Sequence, residues 1–272
     1  MRSGYCRLGL VLITVMLAVV AAAQGGAPAA QQQQPAAGAG DVIVQVIAGT
    51  AKPGSEAQYI EGRKRHMEWH RAKNDSWAWH AYDVITGETA GVVVTVTSTH
   101  KWADRDAREQ FMREDQADVM KNIVPYAAPH QISIWRVRSD MGRSGSPKPA
   151  DPPTAYATVQ HFILNADAMP TYVDYVKRVA AALDKVNSTA PKGLWYQLVT
   201  GGEAPHFVLV TPRKNWAEFE PPRETLDETL RRALGAEGAT LLSNLRKGIR
   251  RTWTETVRHN DELSYHPAAA AR

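Results

Sequence analysis

Alternating apolar and polar positions open the readable part of this chain. DVIVQVIAGT at 41–50 has the period of a half-buried strand. Residues 53–73 change to apolar spacings of three and four, and Pro53 sits near the start, where a first helical turn tolerates it. Residues 76–86 predict a second strand, Gly87-Glu88 a turn, and 91–99, rich in Val and Thr, a third strand. A charged amphipathic helix over 102–123 and a strand over 132–138 follow. The same order then returns: strand 155–164, helix 168–186, strands 193–200 and 206–211, helical segments within 216–247 broken near Gly235 to Gly238, and strand 250–258.

The second round is a copy of the first. With a shift of 114 residues, 82–104 lies on 196–218 without a gap, and nine of the 23 positions are identical. Among them are Tyr82/Tyr196, Thr86/Thr200, Gly87/Gly201, Val94/Val208 and Trp102/Trp216. A period this long is a duplicated small domain, too long for a solenoid unit. The order β-α-β-β-α-β is the split βαβ, ferredoxin-like unit. One such unit leaves a sheet face bare, and two units facing each other cover it. The expected fold class is therefore α+β: two tandem ferredoxin-like βαββαβ units packed sheet to sheet as a pseudo-dimeric α+β barrel. The element order, the duplication and the repeated strand-turn-strand-Trp segment make 41–265 resemble the dimeric α+β barrel superfamily in a tandem single-chain form. That superfamily includes monooxygenases of antibiotic biosynthesis, chlorite-dismutase-like haem proteins and muconolactone-isomerase-like proteins. The resemblance implies a fold, and it implies ligands or haem in the cleft between helices and sheet.

The rest of the chain frames this body. Arg2 and Arg7, the apolar run 8–20 and Ala21-Ala22-Ala23 read as a signal peptide over 1–23, cleaved near Ala23, which predicts a secreted or periplasmic protein. The apolar run is too short to span a membrane, and no span is expected in the mature protein. Residues 24–40 are uncharged and poor in large apolar groups, a disordered spacer. The expected divisions are a first unit at 41–140, a Gly/Ser/Pro linker at 141–154, a second unit at 155–265 and a tail at 266–272. Cleavage removes Arg2, Arg7 and the only cysteine, Cys6, so the formal charge drops from +4 to +2. That excludes disulfides, Cys-ligated metals and a Cys nucleophile. A near-neutral chain without a clustered basic face also argues against a nucleic-acid partner. The tandem form allows a monomer or a homodimer.

Candidate chemistry comes from comparing the two first helices, offset by 113. Tyr59/Tyr172, Ile60/Val173, Arg63/Val176, His66/Val179, Met67/Ala180 and His70/Leu183 share one helix face. That face is apolar in the second copy, whereas Arg63, His66 and His70 interrupt it in the first. Buried, these groups need partners or a cavity; the bland alternative is a lifted, half-solvated helix. His66 and His70 form H-x-x-x-H, a pair able to share a metal, with His80 as a conceivable third ligand. Met67 follows the first His, so the general base of an H-E-x-x-H site is missing. The reading preferred on these residues assigns no metal and no cofactor, with haem or metal at His66/His70 as the alternative; the imidazoles hydrogen-bond an anionic or carbonyl group or shuttle a proton.

On the second strand Trp77 and Trp79 share one face, while His80 and Tyr82 share the other. Trp102 and Trp216 read as anchors of equivalent helices, and the charge-dense 104–118 as a solvated face. The expectation is thus a small-molecule-binding protein with a polar pocket in the N-terminal unit, formed by Arg63, His66, His70, His80 and Tyr82. A cofactor-independent oxygenase or isomerase, and an interaction module without a pocket, are the alternatives.

Overall fold

The computed structural model describes residues 41–267; the expected signal peptide, spacer and last five residues lie outside them. The first copy contains β1 (Ile43–Gly49), α1 (Glu56–Ala72), β2 (Trp79–Thr86), β3 (Val93–Thr97), α2 (Trp102–Ala107), α3 (Glu109–Asn122) and β4 (Gln131–Val137). The second contains β5 (Tyr156–Leu164), α4 (Met169–Lys185), β6 (Leu194–Thr200), β7 (His206–Arg213), α5 (Leu226–Leu234), α6 (Ala236–Lys247) and β8 (Ile249–His259). The long helix expected after β3 is interrupted at Arg108, and the later helical region breaks at Gly235, whose φ is 61°. Among the described residues, no helix is long and apolar enough to cross a membrane.

The strands close into one barrel in the order β1-β3-β2-β8-β5-β7-β6-β4, with every neighbouring pair antiparallel. Each copy contributes four strands in the same internal order. The two sheets are joined edge to edge, β2 to β8 and β4 to β6, so all four free edges are hydrogen-bonded within one chain. No second copy is needed to complete the barrel.

Local sequence explains the repeat. Gly87 and Gly201, each following a Thr, turn their hairpins at φ 101° and 90°, a backbone region open to glycine. A Cβ on Gly201 would lie 2.2 Å from the Ile132 carbonyl oxygen. Asn74 and Asn187, also 113 apart, end α1 and α4 in the left-handed region at φ 50° and 48°. The backbone then folds back, and Asp75 N–H donates to His70 O as Ser188 N–H does to Leu183 O.

Outside the barrel, α4 buries Tyr172 and Val176 against Phe162, Leu164, Trp195 and Phe207. Full burial of one such side chain contributes about 1.5–3 kcal/mol. Met141, the first residue of the expected linker, is fully buried in this same cluster. Arg143 then ties the segment to the end of α4 through Asp184 and the Ser188 and Ala190 carbonyls. Gly, Ser and Pro here build an ordered strap. Trp216, expected as an anchor, is 54% exposed and rests on Tyr156 and Phe219.

Candidate functional site: a barrel chamber and a buried histidine cluster

Strand alternation sends one set of side chains into the barrel and the other toward the helices. A cavity of about 750 Å³ occupies the interior. Valine is the commonest residue of its wall, with Val94, Val96, Val208 and Val210 among the lining residues from both copies. Strand directions place Gly49, Gln131, Glu203 and Arg251 at one end of it, and the strap's Pro149, Pro152 and Pro153 with Pro212 at the other.

Polar groups interrupt this wall. Tyr82 and Tyr196 both line the cavity, and their registers repeat, Tyr82 opposite Val94 and Tyr196 opposite Val208. Burial pushes the Tyr82 hydroxyl up to about 12 and raises that of Tyr196. Burial also lowers His80 to about 4, helped by His266 and His259. Toward the end that carries Glu203, Glu255, His161 and His206 form a chain. His161 Nε2 lies 3.4 Å from Glu255 Oε2, and His161 Nδ1 lies 3.1 Å from His206 Nε2. Glu255 also accepts from the Thr89 hydroxyl at 2.8 Å. Burial raises the Glu255 carboxyl, but His161 and Thr89 outweigh it and leave it below its ordinary value. His206 is lowered to about 4, first by burial and then by His161. Trp253 stacks on His161 at 4.3 Å, and Trp135 meets His206 edge-on at 4.9 Å.

The interrupted face of α1 lies on the other side of the sheet. Arg63, His66 and His70 are buried, and none of them lines the barrel cavity. Arg63 donates to the Tyr59 hydroxyl at 3.0 Å and to Thr95 Oγ1, pinning α1 to β3. His66 and His70 meet a second polar stripe, Arg108, Asp115, Asp118 and Asn122, along and just before α3, with Phe111 packed on the His70 ring between Arg108 and Asp115. His66 Nδ1 lies 2.8 Å from Asp118 Oδ2, and Asn122 donates to that carboxylate's other oxygen at 2.8 Å. His70 Nδ1 lies 2.7 Å from Asp75 Oδ2. Asp115 Oδ1 lies 3.4 Å from His66 Nε2 and 3.3 Å from His70 Nε2.

Asp75, brought under His70 by the left-handed Asn74, also accepts from Trp77 N–H and Trp79 Nε1, each at 2.9 Å, and pairs with Arg108 at 2.5 Å. Burial works to raise the Asp75 carboxyl, but these donors prevail and hold it at about 2. Burial lowers the His70 imidazole despite its carboxylate neighbours. Gly62 permits the close approach of the two helices, since a Cβ there would lie 1.9 Å from Asn122 O.

The five residues expected to share one pocket therefore divide between two places. His80 and Tyr82 face the barrel interior, while Arg63, His66 and His70 lie between α1, α3 and the outer face of the sheet, with Trp77 and Trp79. His80 as third ligand to His66 and His70 is excluded, because the sheet separates them; Asp115 stands at that position. The cavity is walled by both copies, whereas a pocket in the N-terminal unit was expected. Sequence reasoning missed Asp75, Asp115, Asp118 and Arg108, and it missed His161, His206 and Glu255. The helical spacing of the polar positions 108, 115, 118 and 122 was a usable signal for Arg108, Asp115 and Asp118, since a polar stripe on one helix calls for one on its neighbour.

No protein-family model matches the sequence, and a search of curated proteins finds no match. Solved structures do match in fold. An anthrone oxidase-like protein aligns with a TM-score of 0.52 at 10% identity, over 85% of this chain and 97% of its own. A protein assigned as a monooxygenase from Lactobacillus acidophilus gives 0.48 at 7% identity, over 85% and 98%. A mutant chlorite dismutase from Candidatus Nitrospira defluvii gives 0.49 at 11% identity, over 82% and 93%. At these identities the likeness is one of fold. Together with the strand order, it makes this chain a tandem, ferredoxin-like α+β barrel of the dimeric α+β barrel type.

Proposed function

We propose that this protein binds a small, predominantly apolar molecule inside the barrel, and that it does so outside the cytoplasm after cleavage near Ala23. The observation that carries the reading is the cavity of about 750 Å³, within the range of small-molecule sites. Its valine wall suits an apolar body. Tyr82, Tyr196 and His206 offer hydrogen bonds to a phenol or carbonyl on that body. Net charge on the ligand is disfavoured in the middle of the chamber, because Glu255 already pairs with His161 and burial disfavours charge on Tyr82, Tyr196, His80 and His206, whereas the charged Lys148, Asp151, Glu203 and Arg251 stand exposed at the two ends.

Nile red, an uncharged dye with one carbonyl acceptor, tests this reading. Saturable one-to-one fluorescence enhancement is expected, with loss of binding in Val94→Trp, which fills the chamber from β3. Val208→Phe serves as the milder filling variant if Val94→Trp fails to fold. Absence of saturable binding, or binding that both filled variants retain, overturns the proposal.

The Glu255–His161–His206 chain favours a second reading, in which the bound molecule is turned over. Glu255 orients His161, His161 orients His206, and a neutral His206 takes a proton from carbon next to a carbonyl and returns it elsewhere. This is an isomerase-like reaction without a cofactor. Exchange of substrate hydrogen for solvent deuterium, lost in His206→Gln, checks it.

A further inference from the structure

The histidine cluster on α1 plays no part in the proposed chamber, yet it is more highly organised than packing requires. His66 Nε2, His70 Nε2 and Asp115 Oδ1 lie 3.1, 3.3 and 3.4 Å from one another. Each of the three residues is more than nine-tenths buried. Asp118 and Asp75 face the two Nδ1 atoms, which assigns the ring protons there. The two Nε2 atoms then present lone pairs to each other and to Asp115 Oδ1, which has no hydrogen-bond partner. With the ring protons placed on the Nδ1 atoms, three acceptors converge with no donor among them.

From this we infer that His66, His70 and Asp115 hold a divalent first-row transition-metal ion between α1 and α3. Two imidazoles and one carboxylate suit zinc, iron or cobalt better than magnesium or calcium. Donor separations of 3.1–3.4 Å match the edge of a tetrahedron, about 3.3 Å for bonds of about 2.0–2.1 Å. Asp75 and Asp118 behind the imidazoles supply the carboxylate–histidine arrangement that orients metal ligands and raises their basicity. Charge points the same way. Asp75, Asp115 and Asp118 converge here, and Arg108 is the cation that pairs within the cluster, so two negative charges are left for the ion to offset. The other copy shows that the fold does not need these groups, because Val179, Leu183 and Ser188 stand at the positions of His66, His70 and Asp75.

The test uses the mature chain after dialysis against a chelator. Cobalt(II) is titrated and followed by visible ligand-field absorption, and zinc(II) by calorimetry, with magnesium as the negative probe. One equivalent of cobalt or zinc is expected to bind and to raise the unfolding temperature. Asp115→Asn weakens binding at least tenfold, and Asp118→Asn, which acts behind His66, weakens it about 10–100-fold while keeping the stoichiometry. If Asp115→Asn does not fold, His66→Gln takes its place. His266→Ala is the control, since His80, His259 and the exposed His266 form a second group of potential ligands; binding is unchanged there. Absence of saturable cobalt and zinc binding, an affinity that Asp115→Asn or His66→Gln leaves unchanged, or binding lost with His266, overturns the assignment.

Discussion

The Nε2 atoms of His66 and His70, one turn apart on α1, lie 3.1 Å from each other in a site with almost no solvent. Such an approach is sustained from behind. Asp118 and Asp75 hold the opposite edges of the rings, and Asp75 is itself fixed by Trp77, Trp79 and Arg108.

Asp75 is the joint of this arrangement. Asp75→Ala strands Arg108, which is 8% exposed, and removes acceptors from His70 and Trp79. Breaking one side of a buried ion pair costs about 3–5 kcal/mol. A loss of that size is expected in denaturant unfolding, and Asp75→Asn, which keeps some acceptors, loses less. A change below about 0.5 kcal/mol, the range of ordinary surface substitutions, contradicts this view of Asp75.

Gly62→Ala sets two effects against each other. Alanine gains about 1 kcal/mol of helix propensity over glycine. Its Cβ meets Asn122 O at 1.9 Å, and overpacking of this kind costs about 1–3 kcal/mol. The clash is with backbone, so it prevails and the variant is less stable. Since Asn122 also holds Asp118, the movement reaches His66.

The fold and the sites were legible to different degrees. The repeat was visible because identical local problems recur: Thr-Gly turns at 86–87 and 200–201, Trp102 and Trp216 after the third strand of each copy, and apolar strand faces between them; the left-handed asparagines at 74 and 187 repeat too, but only the backbone reveals them. The unusual face of α1 was visible because α4 supplies an apolar reference. Its partners were hidden in a charge-dense helix that reads as solvated. Asp115 and Asp118 are distinguished from their exposed neighbours only by the side of α3 that faces α1. The chamber was less legible still. It exists because β2 pairs with β8 and β4 with β6, contacts between distant segments that leave no local pattern. The strap at 147–154 followed the composition of a linker, although its prolines line one end of the barrel.

Acid should loosen the barrel before it reaches the carboxylates. His80 and His206 are lowered to about 4 from an ordinary 6.5. The unfolded chain therefore binds more protons between those values, and stability falls as pH drops from about 6.5 toward 4. Asp75, held at about 2, adds its loss only below about pH 4. Denaturant titrations in chelator should show a plateau above pH 7 and a decline that His206→Phe makes shallower. A flat profile from pH 7 to 4.5 contradicts the burial assigned to these imidazoles.

Tyr82→Phe separates binding from stability. The Tyr82 hydroxyl makes no hydrogen bond to the described residues and faces the cavity. Its removal should change unfolding free energy by less than about 0.5 kcal/mol, the level of sites without a buried partner. One lost hydrogen bond of about 1 kcal/mol should weaken Nile red binding about fivefold. A stability loss above about 1.5 kcal/mol would show that the hydroxyl serves the fold.

The location of the ligand decides the account most directly. Carbon-13 methyl spectra of the protein, recorded with and without one equivalent of Nile red, read both sides of the sheet at once. Binding in the chamber shifts Val94, Val96, Val208 and Val210 and leaves Met67, buried beside Trp77 and Trp79, unmoved. Shifts centred on Met67 with the barrel valines unchanged would place the ligand between α1 and the sheet and contradict the chamber.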